Sequence, residues 1–436
     1  MSTVDYIKEH FDQLNVSMHN EGLDAKRIHA FNTFSAMGIP TTRHEEWKYT
    51  RISGLFNRDY DFFLDTNRLK VTAKDVEAFR LPGHQEANEL FFINGLFSGE
   101  LSHIRSGNLV ISTLEEAADG QFGEIIQKHL GHSANYQHDG INALNTAFMK
   151  EGIFIHIAKG QEAEHPVYVY NISDTRAGNI LAQPRTLLHV DVNAKLQLVE
   201  TFASIGSQQS LTNQVTEVIV EKDAFVEYYK IQNDDASASQ VSTTHFRQAG
   251  KSHIHAVTIT LNGDIVRNNT NVVMEAANSE AHLYGLYFGQ GKTHIDNHTV
   301  VDNAEPNCQS NEYYKGIMDG QSSGVFNGKI FVRKDAQKTN AYQSNKNILL
   351  SDTASVNTKP QLEIFADDVK CSHGCTVGQL DEEGLFYLRS RGISEKVAMS
   401  LLLHGYTMDV LEKIKSPSIR TYVDQIISER LEYDLA

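Results

Sequence analysis

Three residues near the end of the chain carry the clearest chemistry. In DDVKCSHGCTVG, residues 367–378, Cys371, His373 and Cys375 alternate, so on an extended strand their side chains emerge on one side. Thiolate sulfur and imidazole nitrogen are ligands for zinc, ferrous iron or iron–sulfur clusters. Three ligands from one segment leave coordination open, which suits a transient or subunit-shared site better than a closed structural one. The other reading is a pair of buried structural thiols beside a satisfied histidine. Residue type alone does not separate the two.

Histidine is also concentrated. Six of 20 histidines, His245, His253, His255, His282, His294 and His298, lie within 54 residues. His253 and His255 share one face of a strand, and stacked strands could align others into an imidazole ladder able to hold a divalent metal. The preferred reading is plainer: histidines tile the polar faces of exposed strands, since no carboxylate sits at a familiar catalytic spacing. A third element, YGLYFGQGKTH, mimics a phosphate-binding loop. Gly291, Lys292 and Thr293 match the end of GxxxxGK[ST], but Gly285 is one residue too early and Leu286 holds the required place. A β-like HIDNHTVV follows where the motif needs a helix N-terminus. No nucleotide site is expected here, and any ATP use falls to a partner.

The elements that position these residues fall into three stretches, 1–150, 151–378 and 379–436. The first reads as helical, then mixed: Ile7, Phe11 and Leu14 share one helix face and Ile28, Phe31 and Phe34 another. Gly38 and Pro40 end the second helix, and residues 89–112 look β-like. From about 153 strand-length apolar or alternating segments dominate, with no proline between Pro184 and Pro306. Ala194, Ala224, Gly250 and Ala281 precede strands at spacings of 30, 26 and 31, and Gly324, Ala336 and Ala354 continue the pattern at 12 and 18. Such a repeat suggests stacked coils, about two per 30 residues. A right-handed parallel β-helix is preferred over an antiparallel sandwich, because few NG or DG pairs sit as hairpin turns. The last stretch is helical again. Ser394 caps a helix whose Val397, Ala398, Leu401 and Leu402 face inward and which Gly405 closes. Thr407 caps the next, with Val410, Leu411 and Ile414, and Ile419, Val423, Ile426, Ile427 and Leu431 form a final stripe that packs inward or docks a partner.

Composition narrows the function classes. The 436 residues are 40% apolar and 22% charged, with 55 acids against 39 bases and a net charge of −16. So acidic a chain is a poor nucleic-acid binder through a broad basic face. Three cysteines, Cys308, Cys371 and Cys375, cannot all pair, which argues for a reducing compartment. No signal-like N-terminus and no apolar run near 18 residues is found. A cytoplasmic protein, off the membrane, is expected.

The segment KPQLEIFADDVKCSHGCTVGQLDEEGLFYLRSRGI resembles the C-terminal core of the SufB/SufD family, the scaffold subunits of the SUF iron–sulfur cluster assembly system. FNGKIFVRKDAQKTNAYQSNKNILLS at 326–351 and RHEEWKYT at 43–50 extend the likeness over most of the chain. The CSHG element, and the lack of any cysteine before Cys308, place it on the SufD side of the family. The resemblance implies a mainly β fold, a right-handed parallel β-helix between helical terminal domains, and a non-enzymatic role. It implies pairing with a SufB-like β-helix subunit and contact of 379–436 with a SufC-like ATPase. No tightly bound cofactor is implied, only transient iron or an iron–sulfur cluster shared with the SufB-like partner; in isolation the chain can homodimerise. By motif match, Cys371 and His373 are the interface residues implicated in cluster assembly or iron entry, projecting toward the partner and not into the core. Cys375 stands where the family commonly has alanine, as a silent small residue or an extra soft ligand. Two rivals remain: a β-helix enzyme acting on polysaccharide, with Asp367–Asp368 as its carboxylates, and a stand-alone metal-binding protein using the histidines.

Overall fold

At five of the corners that lead into strands of the first sheet, the chain passes through a residue in the left-handed region followed by a small buried one. In the computed structural model, which describes residues 3–434 apart from 17–19, 63–67 and 69, Asn193, Asp223, Asn278, Asn307 and Lys338 all have φ between 55° and 63°. Asparagine and aspartate tolerate that conformation better than other residues with a Cβ. The next residues, Ala194, Ala224, Ser279, Cys308 and Thr339, are wholly buried. A strand starts one residue later each time, at Lys195, Phe225, Glu280, Gln309 and Asn340. The small residue preceding a strand is therefore real, but its occupants differ from those expected. Gly250 lies two residues ahead of the corner serine Ser252, and Ala281 is inside the strand Glu280–Gly289.

The outcome is a parallel β-solenoid of two ten-element sheets. From Arg185–Val190 onward successive strands alternate between them. In the first sheet His253, Glu280, Gln309, Asn340 and Lys370 stack in register, 27, 29, 31 and 30 residues apart. Each repeat of about 30 residues is thus one coil of two strands, not two coils, because one strand serves each sheet. All pairings are parallel except at the start, where Leu96–His103 and Leu109–Thr113 add antiparallel edges. The strand Asn88–Ile93 pairs in parallel with Val167–Asp174, so the first sheet reaches back into the N-terminal stretch.

Between the sheets one flank of the lumen is apolar, with Val226, Ile254, Leu283, Val301 and Ile330. The other flank is polar and hydrogen-bonded. Buried Lys230 donates to Ser242 Oγ (3.1 Å) and Thr244 Oγ1 (2.9 Å), and Ser242 donates to Asn268 Oδ1 at 2.9 Å. Burial of such groups is tolerable only because partners replace water.

The outer faces of both sheets are covered. The helix Pro417–Asp434 lays Ile419, Val423, Ile427 and Leu431 on the first sheet against Leu286, Phe288 and Ile317. That stripe is core. Ser394 does cap a helix, accepting from Val397 N–H, but the helix runs unbroken over Glu395–Leu411. Gly405 and Thr407 lie inside it, and Val397 and Leu401 face outward. On the second sheet the helices Thr3–Asn15, Glu21–Met37 and Gly140–Ala147 pack through Ile7, Phe11, Phe31, Phe34 and Leu144. Ile28, expected inward, is exposed. RHEEWKYT clasps this sheet. Arg267 lies 3.8 Å over the Trp47 ring, Trp47 Nε1 donates to Asp139 (3.2 Å), and Glu45 pairs with Lys359 at 2.6 Å.

Candidate functional site

The solenoid ends in an open mouth. Ser355–Ile364 and Lys370–Gly378 each pair with one neighbour only, so each presents a row of free backbone N–H and C=O groups. On Lys370–Gly378 the motif residues sit in register over the preceding coil, Cys371 over Ala341, His373 over Gln343 and Cys375 over Asn345. Those three lower residues are buried and point into the lumen, and parallel register keeps side chains on one face. Cys371, His373 and Cys375 therefore face the mouth of the lumen together.

Their environments differ. Cys371 is half-buried against the interior cluster, which corrects the expectation that it projects clear of the core. The mouth is also the top of the core, and the alternation that aligns the three side chains seats the first of them on it. His373 and Cys375 are exposed. Burial pushes the Cys371 thiol above its usual range, against a weaker opposing hydrogen bond to the backbone of Ala341. Among the described residues no cation contributes to favour a thiolate there. Four residues of strand separate Cys371 from Cys375, about 13 Å, too far for a disulfide. Cys308 is the small residue of a buried corner, its Sγ 3.5 Å from the Ala276 carbonyl, and burial raises its thiol as well.

The six sequence-clustered histidines do not converge on one point, though His255 stacks on His282 in register and both His253 and His282 approach Glu280 (3.3 and 3.9 Å). His253, His255 and His282 lie in the first sheet, His245, His294 and His298 in the second. His255 meets the Lys413 carbonyl at 2.6 Å; His294 meets Thr50 Oγ1 at 2.8 Å; His298 lies 3.1 Å from Asp296. Among the described residues no group of three or more His, Cys, Asp or Glu side chains is placed to hold a metal ion. Sequence reasoning missed two true histidine pairs, His132–His245 at 2.8 Å and His156–His189 at 3.0 Å. Their members lie 113 and 33 residues apart, and only knowledge of the register brings them together.

The phosphate-loop mimic is strand, turn and strand. Gly285 is bare because a Cβ there would lie 2.2 Å from the Tyr314 ring. Gly291 takes a positive φ in the turn before His294–Asn303. Asp367 and Asp368 are exposed turn residues, with Asp368 N–H donating to Gln337 Oε1 at 2.9 Å. They frame no groove. A feature the sequence hid is an apolar patch on the C-terminal helices: Phe386, Tyr387, Val397 and Leu401 are 75%, 55%, 48% and 51% exposed.

Comparison with known proteins adds to this geometry. Residues 171–406 match the model of the SUF system FeS cluster assembly SufBD core domain, and residues 3–169 match that of the SufBD protein N-terminal region. An iron–sulfur cluster assembly SufBD family protein of a Synechocystis species is 30% identical over 417 residues, 93% of this chain and 90% of that protein. The iron–sulfur cluster assembly protein SufD of Escherichia coli is 27% identical over 90% of both chains. Among the described residues no helix is long and apolar enough to cross a membrane.

Proposed function

The chain belongs to the SufBD family of iron–sulfur cluster assembly proteins, and from that premise we propose that it is a non-catalytic scaffold subunit of the SUF assembly complex. Its terminal strands pair with the β-helix of a SufB-like partner, and its C-terminal helices dock a SufC-like ATPase. Iron or a nascent cluster is cargo at the shared interface, met by Cys371 and His373. One observation carries this reading: a soft thiol and an imidazole face the mouth of a lumen whose rim is two unpaired strand edges. Strand edges are ready-made for pairing with another chain, and a ligand set left open on one chain can be completed from a second.

The raised Cys371 thiol fits cargo that arrives with its own charge. In the isolated chain the sulfur keeps its proton at neutral pH; a bound cation favours the thiolate and displaces it. The test is anaerobic co-expression with SufB-like and SufC-like subunits, reading complex yield and cluster absorbance. Cys371→Ser and His373→Ala leave complex yield near normal and depress cluster filling, His373→Ala more severely because its imidazole is the exposed ligand of the two. Cys375→Ala is nearly silent. Normal filling in the Cys371 and His373 variants, with loss in Cys375→Ala, overturns the assignment.

A further inference from the structure

Beneath the mouth, the lumen holds a carboxylate whose hydrogen bonds point a neighbouring amide outward. Glu312 is fully buried on the strand Gln309–Met318. Its Oε2 accepts from Thr299 Oγ1, and its Oε1 accepts from Gln343 Nε2 at 3.0 Å. Among the described residues no lysine, arginine or histidine forms an ion pair with it, and desolvation pushes its carboxyl up to about 7.

Gln343 sits one coil above Glu312 and one coil below His373, in register with both. It is 3% exposed, and its Oε1 is buried with no hydrogen-bond partner. Room for this side chain comes from Gly328 on the facing sheet, where a Cβ would lie 2.2 Å from Gln343 Nε2. Above about pH 7, where the Glu312 carboxyl is ionised, it only accepts, so it takes the amide N–H and leaves the amide oxygen as the free end. A buried carbonyl without a partner is unusual enough to need an explanation.

His373 supplies one. Around it the inward positions on Asn340–Leu349 are Ala341, Gln343, Asn345 and Asn347, and on Ser355–Ile364 they are Val356, Thr358, Pro360 and Leu362, none of them titratable. Its own strand offers Cys371 and Cys375. Glu312 is the first carboxylate met going inward. In this structure the exposed His373 ring does not reach that oxygen; we infer that when the ring turns inward Gln343, anchored at its amide nitrogen by Glu312, accepts an imidazole N–H of His373 and so fixes the tautomer and direction of that ring at the mouth. The other ring nitrogen then offers its lone pair outward. An imidazole that ligates metal commonly has its second nitrogen held this way. Gln343 and Glu312 are positioning residues, and the inference rests on the reading of His373 as a cargo-facing group.

Solid-state NMR of the sedimented full chain, labelled with 15N-histidine, tests it at a pH where imidazole is neutral. Loss of signal in His373→Ala assigns the ring. The wild type is expected to show one tautomer, with separate donor and acceptor nitrogen shifts. Gln343→Leu, and independently Gly328→Ala, which displaces Gln343, move the two shifts toward the average of mixed tautomers. Glu312→Gln does the same while keeping the shape of the lumen, and carries the test if the other variants fail to fold. An averaged pattern in the wild type, or an unchanged single tautomer in Glu312→Gln, overturns the inference. Cluster filling on co-expression is read separately. If His373→Ala abolishes filling while Gln343→Leu leaves the tautomer fixed, the scaffold reading stands and this inference falls. If the tautomer responds but His373→Ala fills normally, the positioning stands and the cargo role of His373 falls.

Discussion

At the scale of single residues, three cysteines of one chain have three fates set by place. Cys308 is sealed in a corner, Cys371 is half-buried, and Cys375 is exposed at the mouth. Alkylation at neutral pH is therefore expected in the order Cys375, then Cys371, with Cys308 protected until unfolding, as mass spectrometry of timed iodoacetamide quenches will report. Labelling of Cys308 ahead of Cys371 contradicts the burial pattern. Glu312 gives a second residue-scale expectation, about pH. Its carboxyl is pushed up to about 7 from the usual 4.5, so the native state holds the proton more tightly than the unfolded chain. The stability tied to that proton is complete below about pH 4.5 and is lost as pH rises through 7, by up to about 3 kcal/mol. Denaturant midpoints across that range should fall less in Glu312→Gln than in the wild type. Parallel slopes for the two proteins count against a buried, unbalanced acid. The motif residues were legible in the sequence because alternation on a strand fixes their common face. That this face was lumenal was not legible, since inward and outward sets differ by one residue of register, and Ser372, Gly374 and Thr376 are as unremarkable outside as in.

At the scale of elements, sequence periodicity succeeded where an apolar face meets one neighbour. The stripe Ile419, Val423, Ile427 and Leu431 is such a face, and it lies on the first sheet. Periodicity failed on the helix Glu395–Leu411, where Val397 and Leu401 share a spacing with buried Ala398 and yet are exposed. The coil repeat was visible as a 30-residue rhythm, but its cause, an Asn or Asp in the left-handed region ahead of a small residue, is a backbone fact. Glycines tell the same story, for Gly285 reads as part of a loop and serves as clearance for Tyr314. The clasp RHEEWKYT gathers several contacts on one short segment. Trp47 is buried beneath Arg267 and bonded to Asp139, so Trp47→Ala is expected to cost about 3–5 kcal/mol. It also leaves Arg267 with its Asp296 pair but no ring. Limited proteolysis should then cut first within 38–50, before the solenoid. Unchanged melting and cleavage make the clasp ornamental.

At the scale of the whole molecule, the C-terminal helices present two faces, one to the fold and one, on the reading proposed above, to an assembly partner. Their inner face completes the core over the first sheet, so removing 379–436 uncovers Leu286, Phe288 and Ile317 along with the rest of that buried surface. A truncated chain that fails to bind the ATPase subunit is therefore uninformative, because exposed sheet of that size aggregates. Their outer face carries Phe386, Tyr387, Val397 and Leu401 in the open. Apolar residues exposed in that number on two adjoining helices are costly in water, which supports the proposed docking of a partner there. Charge placed there separates docking from folding. Leu401→Asp and Phe386→Asp, on side chains already in solvent, are expected to change stability by no more than about 0.5 kcal/mol. Each should weaken capture of the SufC-like subunit by tenfold or more, a loss of about 1.4 kcal/mol, because the partner's apolar surface would have to desolvate a carboxylate. Pairing of the β-helices, proposed above to use the strand edges at 355–364 and 370–378, should persist in both variants on size-exclusion chromatography. Retained ATPase capture by the double variant moves the docking site off these helices, and joint loss of both contacts means the C-terminal helices brace the mouth as well.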